Sequence, residues 1–334
     1  MQKVLVIRIG RLGDTILATP VIEALQRACG SDVLIDFATG PGASAAILEM
    51  DHRVNRVFAI AHRSTPWRVH RAKRGLERHS REVPYDLVIN LETGHECDDF
   101  VKFIHFHKFV GRPLQRARHL PGRHCVDTEK SIYAQLLGVD ATAAAETSLC
   151  LRLGSQQLPV PADSAYIVIN PGFSGIQRPG YRSHRGWPQT QWLELIGLLT
   201  GPGGLSVLVN GTLDEQQYFA DLMQVPGVYS LFGSSLVVLA SALSGARALI
   251  SVDTGTMHLA MALATPVLAL FGPTDPVLTG PYSKKVRHKV LRSGVDCQPC
   301  VNTPLQKKCI SNRCMTALEP SRVFDACQLL IRNG

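Results

Sequence analysis

Short apolar runs of strand type alternate along the chain with stretches in which apolar residues recur at helical spacing. The first run, VLVIRI (residues 4–9), ends at GRLGDT, and helical spacing then continues as far as Gly30. Further runs of strand type in the first half of the chain lie at residues 33–39, 85–92 and 102–111. Strands that alternate with helices favour a parallel sheet covered by helices.

A proline-rich stretch at residues 151–165 interrupts this pattern, which then begins again. Runs of strand type in the second half lie at residues 165–172, 205–211, 246–255 and 265–272, and an amphipathic helix is predicted at 321–332. The two series predict two doubly wound α/β domains, 1–158 and 159–334, that face each other across a cleft. In such sheets, ligands bind at the carboxyl ends of the strands.

Polar residues follow the first predicted strand in the sequence GRLGDT. Gly10 and Gly13 permit a tight backbone, and Asp14 stands where the next helix begins. Asp14 is therefore either a helix N-cap or a general base that faces the cleft. The glycine spacing differs from the dinucleotide fingerprint G-x-G-x-x-G, which disfavours a nicotinamide-dependent oxidoreductase.

A second polar segment, SVDTGTMH (residues 251–258), lies between a predicted strand and a predicted helix. The backbone N–H groups and the dipole at the start of that helix suit an anion such as a phosphate. His258 is either a buried capping histidine or a ligand contact. Arg185 precedes a Trp-Pro pair in which the proline is typical of a helix start. It is either a surface arginine or a phosphate ligand.

Composition and charge narrow the class of protein. Of the 334 residues, 45% are hydrophobic, which excludes wholesale disorder. No apolar run of about 18 residues predicts a membrane span, and the basic residues near the N-terminus argue against a signal peptide, so we expect a cytoplasmic protein. The net charge of +8 predicts acidic partners, and the basic segment 53–81 is either a solvated helix face or an anion site. Nucleic acid is not an expected partner, because aromatic residues make up only 6% and do not interleave with the basic ones.

Four of the nine cysteines are close together in the sequence: Cys297, Cys300, Cys309 and Cys314. This spacing is compatible with tetrahedral ligation of zinc or iron by thiolates. The alternative is a set of reduced or transiently disulfide-bonded thiols. A closed four-sulfur site has no open coordination position, so we expect a structural metal and no catalytic cofactor.

Several of these segments occur together in a known family. They are IRIGRLGDTILATPVIEAL at the start, INPG near residue 169, RGWPQTQW near 185, ISVDTGTMHLAMAL near 250 and LFGPTDP at 270. With these segments the chain resembles the ADP-heptose:lipopolysaccharide heptosyltransferases of glycosyltransferase family 9. The resemblance implies the GT-B fold, in which two Rossmann-like domains face each other across a cleft. The N-terminal domain would bind the acceptor and the C-terminal domain the nucleotide sugar.

The resemblance also implies roles for particular residues. Asp14 matches the proposed general base of the family, and Glu215 would hold the ribose hydroxyls. Arg185 stands where the family often has a lysine that contacts the donor phosphates. The donor-binding positions are Gly13, Ser174, Arg185, Glu215, Asp253, Thr254, Gly255 and His258. The basic positions expected to contact an acidic acceptor are Arg63, Arg68 and Arg71. Some branches of the family, including those that modify autotransporter proteins, carry a four-cysteine metal finger near the C-terminus.

The sequence therefore predicts an inverting glycosyltransferase that moves heptose from ADP-heptose to a lipopolysaccharide core acceptor. The alternatives are a heptosyltransferase with a protein (autotransporter) acceptor and a GT-B enzyme that uses another nucleotide sugar. The expected partners are the donor, the acceptor and the anionic inner face of the membrane, where the protein would bind peripherally. A homo-oligomer is compatible with these partners.

Overall fold

The computed structural model describes residues 2–61, 66–92, 101–111, 122–161, 164–173, 176 and 184–332. The chain divides into two compact units, Met1–Arg152 and Leu153–Gly334. The division falls inside the proline-rich stretch, and the sequence alone places it at residue 158. No helix of the described ranges is long and apolar enough to span a bilayer.

The first unit contains a five-stranded parallel sheet. Its strands are β1 (Lys3–Arg8), β2 (Leu34–Thr39), β3 (Arg56–Ala59), β4 (Tyr85–Asn90) and β5 (Phe106–Gly111). They lie side by side in the order β3-β2-β1-β4-β5, and every neighbouring pair is parallel. The chain moves outward from β1 through β2 to β3 and then returns to place β4 on the other side of β1. The carboxyl ends of β1 and β4 therefore form the switch point at which such sheets bind ligands.

The second unit contains a six-stranded parallel sheet of the same kind. Its strands are β6 (Tyr166–Asn170), β7 (Ser206–Val209), β8 (Val228–Ser230), β9 (Leu249–Val252), β10 (Val267–Leu270) and β11 (His288–Leu291). Their order is β11-β10-β9-β6-β7-β8, so the direction of winding reverses between β6 and β9. The predicted α/β class, with two doubly wound sheets, is confirmed.

Helices lie between the strands of both sheets and after the last strand of each. In the first unit they are α1 (Leu12–Leu17), α2 (Pro20–Cys29), α3 (Ala43–Met50), α4 (Arg71–Glu82), α5 (Cys125–Leu137) and α6 (Val139–Ala144). In the second unit they are α7 (Gln189–Leu199), α8 (Leu236–Gly245), α9 (Gly255–Ala262), α10 (Pro276–Thr279), α11 (Pro304–Lys307), α12 (Arg313–Thr316) and α13 (Pro320–Arg332). Two 3₁₀ turns, Leu213–Glu215 and Ala220–Gln224, follow β7.

The prediction of one continuous helix after the first strand was wrong, because α1 and α2 are separate. Pro20 has no backbone N–H and therefore cannot continue the hydrogen-bond ladder of α1. The hydroxyl of Thr19 donates to the carbonyl oxygen of Ile16 at 2.7 Å. This bond gives a hydrogen-bond partner to a carbonyl group in the last turn of α1.

The central strands have apolar side chains on both faces, as a parallel sheet covered by helices requires. In β1, Val4, Leu5, Val6 and Ile7 are completely buried. The core of the second unit includes Trp187 and Trp192, whose rings meet edge to face with centroids 4.8 Å apart. These cores hold the strand ends, and the polar residues on them, in fixed positions.

The edge strands β3, β8 and β11 are not evident from the sequence. They are short, and most of their side chains are exposed or only partly buried, so they lack the continuous apolar run of a central strand. The strand predicted at residues 102–111 is also shorter than expected and begins at Phe106.

Candidate active site

Asp14 lies at the switch point of the first sheet, at the third position of α1. Its Oδ2 atom accepts a hydrogen bond from the backbone N–H of Arg11 at 3.1 Å, so the carboxylate caps the first turn from inside the helix. Gly10 leaves room for it, since a Cβ atom there would come within 2.4 Å of the Asp14 Cβ. The Asp14 side chain is 46% exposed and therefore accessible to a substrate.

An arginine whose side chain is only 13% exposed holds Asp14 from the other side. The guanidinium of Arg8, at the end of β1, lies 3.1 Å from Asp14 Oδ1, 3.3 Å from Glu129 Oε1 and 3.8 Å from Glu92 Oε1. Burial alone would lower the pKa of Arg8, but the carboxylates of Glu129, Asp14 and Glu92 outweigh it and raise that pKa. Glu92 also accepts a hydrogen bond from the backbone N–H of Ile9, which joins the ends of β1 and β4.

The sequence does not predict this cluster of one arginine and three carboxylates. Glu92 and Glu129 are almost completely buried and come from the end of β4 and from α5. The one available signal was an acidic residue directly after a buried strand, as in NLE at residues 90–92.

Two of the predicted acceptor residues lie near the start of α4. Arg68 and Arg71 are both exposed, and Arg63 is outside the described residues. Directly before Arg68, Trp67 is buried, stacks on Phe103 with ring centroids 4.9 Å apart, and donates from Nε1 to Glu77 at 2.6 Å. The two described arginines therefore stand on an anchored segment and present their charges to solvent.

The turn after β9 forms the switch point of the second sheet. Asp253 is buried, Thr254 is the N-cap of α9, and Gly255 is the first residue of that eight-residue helix. The Thr254 hydroxyl lies 3.2 Å from the Ser251 hydroxyl and accepts from Asn170 Nδ2 at 3.3 Å. The helix begins at Gly255, so the backbone N–H groups of the first turn begin at the glycine.

Arg185 and Asp253 are 68 residues apart in the chain and adjacent in space. The Arg185 Nε atom lies 3.5 Å from Asp253 Oδ2, and one of its terminal nitrogens lies 3.5 Å from the Asp253 carbonyl oxygen. The Arg185 side chain is nevertheless 46% exposed. It is thus not an isolated surface arginine, because it stands beside the turn that begins α9.

His258 and Glu215 occupy buried positions near the same strand ends. His258, in the first turn of α9, is 5% exposed, which fits its interpretation as a buried histidine. The Glu215 carboxylate accepts from the backbone N–H of Thr212 at 2.8 Å and fills the space beside two glycines. A Cβ atom at Gly172 would lie 2.5 Å from this carboxylate, and one at Gly211 would lie 3.0 Å from it. The remaining donor candidate, Ser174, is outside the described residues.

Two asparagines that the sequence analysis did not select connect these strand ends. Asn210 Nδ2, after β7, donates to Asn170 Oδ1 at 2.6 Å, and Asn170 in turn donates to Thr254. The amides therefore bridge β7, β6 and β9 in their spatial order. Each asparagine ends an apolar run, which was the signal in the sequence.

The four C-terminal cysteines belong to one segment of the second unit, and none of them forms a disulfide bond with another described residue. Cys300 and Cys314 are buried, and Cys297 and Cys309 are partly exposed. Burial, followed by the charges of the other three thiols, raises the pKa of Cys314 to about 11. Among the described residues, no three His, Cys, Asp or Glu side chains are arranged as ligands of a metal ion.

Two lipopolysaccharide heptosyltransferases match along most of the chain. Lipopolysaccharide heptosyltransferase 1 of Pseudomonas aeruginosa is 28% identical over 354 residues, which cover 96% of each chain. Lipopolysaccharide heptosyltransferase 1 of Escherichia coli K12 is 27% identical over 304 residues and covers 85% of this chain and 92% of its own.

Solved structures share the fold over the whole chain. A glycosyl transferase family 9 protein from Veillonella parvula has a TM-score of 0.75 at 19% identity, with coverage of 100% of this chain and 98% of that one. The E. coli heptosyltransferase WaaC with ADP has a TM-score of 0.71 at 23% identity, with coverage of 98% and 100%. The iron-containing dodecameric glycosyltransferase TibC from enterotoxigenic E. coli has a TM-score of 0.60 at 15% identity, with coverage of 99% and 76%.

The sequence profile of glycosyltransferase family 9 (heptosyltransferase) matches residues 74–311, which is well over half of the chain. That range includes the turn after β9 and Arg185. The chain therefore belongs to glycosyltransferase family 9, the heptosyltransferases, and is a glycosyltransferase.

Proposed function

We propose that the protein transfers heptose from ADP-heptose to a lipopolysaccharide core acceptor with inversion at the anomeric carbon. The observation that carries this proposal is the contact of Arg185 with Asp253, beside the first turn of α9. It occurs in a chain that belongs to this family. A guanidinium beside a helix N-terminus suits a diphosphate, because both attract its negative charge. A protein acceptor is not favoured, because the relatives that match along most of the chain are named for lipopolysaccharide.

The proposed donor site lies in the second unit. Arg185, Thr254 and Gly255 bind the diphosphate, and Asp253 holds Arg185 beside it. The buried Glu215 carboxylate accepts hydrogen bonds from the ribose hydroxyls. Three further donor positions stay predictions: Gly13, Ser174 and His258.

In the proposed reaction, Asp14 of the first unit removes the proton from the acceptor hydroxyl as that oxygen attacks the anomeric carbon. The bond from this carbon to the diphosphate oxygen breaks on the opposite face, and ADP leaves with the electron pair. Arg185 and the first N–H groups of α9 stabilise the growing negative charge, since they are already oriented before the reaction begins. The proton on Asp14 then passes to solvent.

The nucleotide provides the first test of this function. Among ADP, UDP, GDP and NAD at equal concentrations, we expect ADP to give the largest increase in melting temperature. A ligand at about a hundred times its dissociation constant stabilises the folded state by about 2.7 kcal/mol, which a thermal-shift assay detects. A larger shift with UDP or GDP would support a GT-B enzyme with another nucleotide sugar and reject the heptose donor.

We further propose that the acceptor and the cytoplasmic face of the inner membrane meet the basic side of the first unit. Arg68 and Arg71 contact the acidic acceptor, and Arg63 is a third candidate. On α4, Arg71, Arg74, Arg78 and Arg81 are exposed and recur at intervals of three and four residues, so they share one helix face. Such a face is attracted to anionic lipid by about 1 kcal/mol for each arginine near the surface.

Flotation with lipid vesicles tests the membrane proposal. The double variant Arg74→Gln/Arg78→Gln should bind anionic vesicles more than tenfold more weakly than the wild-type protein, because about 2 kcal/mol of attraction is removed. These arginines are outside the proposed acceptor contacts, and neutral vesicles provide the control. Equal binding of variant and wild-type protein to anionic vesicles would reject this face.

We also propose that Cys297, Cys300, Cys309 and Cys314 bind one structural zinc or iron ion. Four thiols on one segment are a donor set that suits either metal, and the charges of three of them act on Cys314. A tetrahedral site needs each sulfur at about 2.3 Å from the metal, so binding would draw the four thiols together. The metal would stabilise this segment and take no part in the transfer.

Elemental analysis decides between a metal site and free thiols. The purified protein should contain about one zinc or iron ion per chain, and Cys309→Ser should lower this content and the melting temperature. Cys29→Ser, at a cysteine of α2 in the first unit, is the matched control and should change neither. A metal-free protein with full thermal stability would support the thiol interpretation.

A further inference from the structure

The segment that carries the four cysteines lies directly against the loop that presents Arg185. We refer to residues 295–318 as the cysteine segment and to residues 184–187 as the arginine loop. His184 Nε2 lies 3.2 Å from the Cys309 carbonyl oxygen, and Asn312 Nδ2 donates to the Gly186 carbonyl oxygen at 3.1 Å. Trp187 Nε1 donates to the Leu318 carbonyl oxygen at 3.0 Å. Residues on both sides of Arg185 are therefore bonded to the cysteine segment.

The arginine loop is also confined by close packing. A Cβ atom at Gly186 would lie 2.4 Å from the ring of Phe173, so only glycine fits there without a shift. At Gly272, a Cβ atom would lie 2.8 Å from the His184 carbonyl oxygen and 2.8 Å from Met315 of the cysteine segment. The loop thus runs between strand-end residues on one side and the cysteine segment on the other.

The cysteine segment is fixed in turn to the loop that follows β10. The Gln298 side chain donates to the carbonyl oxygens of Phe271 and Gly272 at 3.0 and 2.8 Å. The backbone N–H groups of Cys300 and Val301 both donate to the Pro273 carbonyl oxygen at 2.9 Å. The segment therefore connects the end of β10 to the arginine loop, and it holds these two parts of the second unit in fixed positions relative to each other.

We propose that the cysteine segment positions Arg185 for the donor phosphates, and that Asn312 is the positioning residue that transmits its influence. The inference rests on the proposed function, since Arg185 is assigned to the donor there. A phosphate ligand gains most from a side chain whose backbone is already fixed, because less freedom is lost on binding. The hydrogen bond from Asn312 fixes the carbonyl group of Gly186, the residue that follows Arg185. Loss of this bond would therefore make Arg185 more mobile, although Asn312 itself does not contact the ligand.

Asn312→Asp removes this bond with the smallest change of shape. Asn312 has a φ of 46°, a left-handed conformation that Asn and Asp both tolerate well. Its Oδ1 atom accepts from Cys314 Sγ at 3.5 Å, and an aspartate oxygen keeps that acceptor. The variant loses the N–H donor and places a negatively charged carboxylate oxygen against the Gly186 carbonyl oxygen. We expect its dissociation constant for ADP to rise about tenfold, since a part-buried carbonyl loses its partner and faces a like-signed oxygen instead.

The experiment is calorimetric titration of ADP into the wild-type protein, Asn312→Asp, Arg185→Ala and the double variant. If Asn312 acts through Arg185, the double variant binds ADP no more weakly than Arg185→Ala alone, because contacts that share one partner are not additive. In transfer assays, Asn312→Asp should raise the KM for the donor and leave the KM for the acceptor unchanged. A merely structural defect would change both.

Gln191→Ala is the matched control. Gln191 Nε2 donates to the Thr316 carbonyl oxygen at 2.9 Å, so it also bonds the cysteine segment, but to α7 instead of the arginine loop. Its affinity for ADP should equal that of the wild-type protein. Wild-type ADP affinity in Asn312→Asp, together with weaker binding in Arg185→Ala, would overturn the inference and leave the proposed function intact. Unchanged ADP affinity in Arg185→Ala would contradict the donor site itself and the inference with it.

Hydrogen exchange tests the same coupling without any variant, should Asn312→Asp fail to fold. Coupling between two sites is reciprocal, so ADP binding should slow amide exchange in residues 309–316 of the cysteine segment. Exchange in α2, in the other unit, provides the reference. Equal exchange in residues 309–316 with and without saturating ADP would overturn the inference.

Discussion

Asp14→Asn is expected to lower the rate of heptose transfer by at least about a hundredfold, which is the usual contribution of a general base. An amide has nearly the shape of a carboxylate but cannot take up the proton of the acceptor hydroxyl. The fold should survive, because the amide oxygen can still accept the bond from the Arg11 N–H that caps α1. Arg8 also keeps its contacts with Glu92 and Glu129.

Release of ADP in a coupled assay measures this effect as kcat, and the thermal shift with ADP shows whether the donor still binds. Asp140→Asn is the matched control, since Asp140 is an exposed acid in the first turn of α6. It should have wild-type kcat. A turnover of Asp14→Asn close to that of the control would remove Asp14 as the base and leave the donor site untouched.

The second large effect is expected on stability, from Arg8→Met. The substitution keeps an apolar chain at the end of β1 but removes the positive charge beside Glu92 and Glu129, which are both nearly completely buried. Removal of one partner from a buried ion pair costs about 3–5 kcal/mol, since it leaves charge in a region that water does not reach. Unfolding in urea, with its midpoint compared to that of the wild-type protein, measures the loss.

Arg27→Met is the control for this experiment. Arg27 pairs with Glu23 at 2.6 Å on an exposed face of α2, and such a pair contributes about 1 kcal/mol or less. Glu129→Gln in the Arg8→Met background should recover part of the loss, because it removes one buried charge. A midpoint for Arg8→Met equal to that of Arg27→Met would show that the cluster does not stabilise the first unit.

The central part of each sheet was predictable because its strands are buried on both faces and therefore read as continuous apolar runs. The edge strands β3, β8 and β11 escaped because partial burial leaves polar residues such as Arg56 and His288 within them. Pro20 signals the break between α1 and α2, although apolar residues recur at helical spacing on either side of it. At this position the missing backbone N–H of proline ends the helix, even though the apolar periodicity continues.

The candidate site was predictable where one strand end carries the signal, as at Asp14 and Asp253. Its partners were not, because Arg8, Glu92 and Glu129 meet only once β4 lies beside β1 and α5 packs nearby. The contact between Arg185 and Asp253 also depends on the order of strands, which apolar periodicity does not reveal. The spacing of the four cysteines, likewise, indicates a donor set without the positions of its sulfurs.

The Glu215 carboxylate fills the space that a side chain at position 172 would need. These two positions are therefore not independent in evolution. A lineage that kept Glu215 would lose any alanine that arose at residue 172, whereas a lineage that exchanged Glu215 for a smaller residue could accept it. Glycine at 172 should accordingly covary with glutamate at 215 among descendants of this sequence, as a record of steric exclusion.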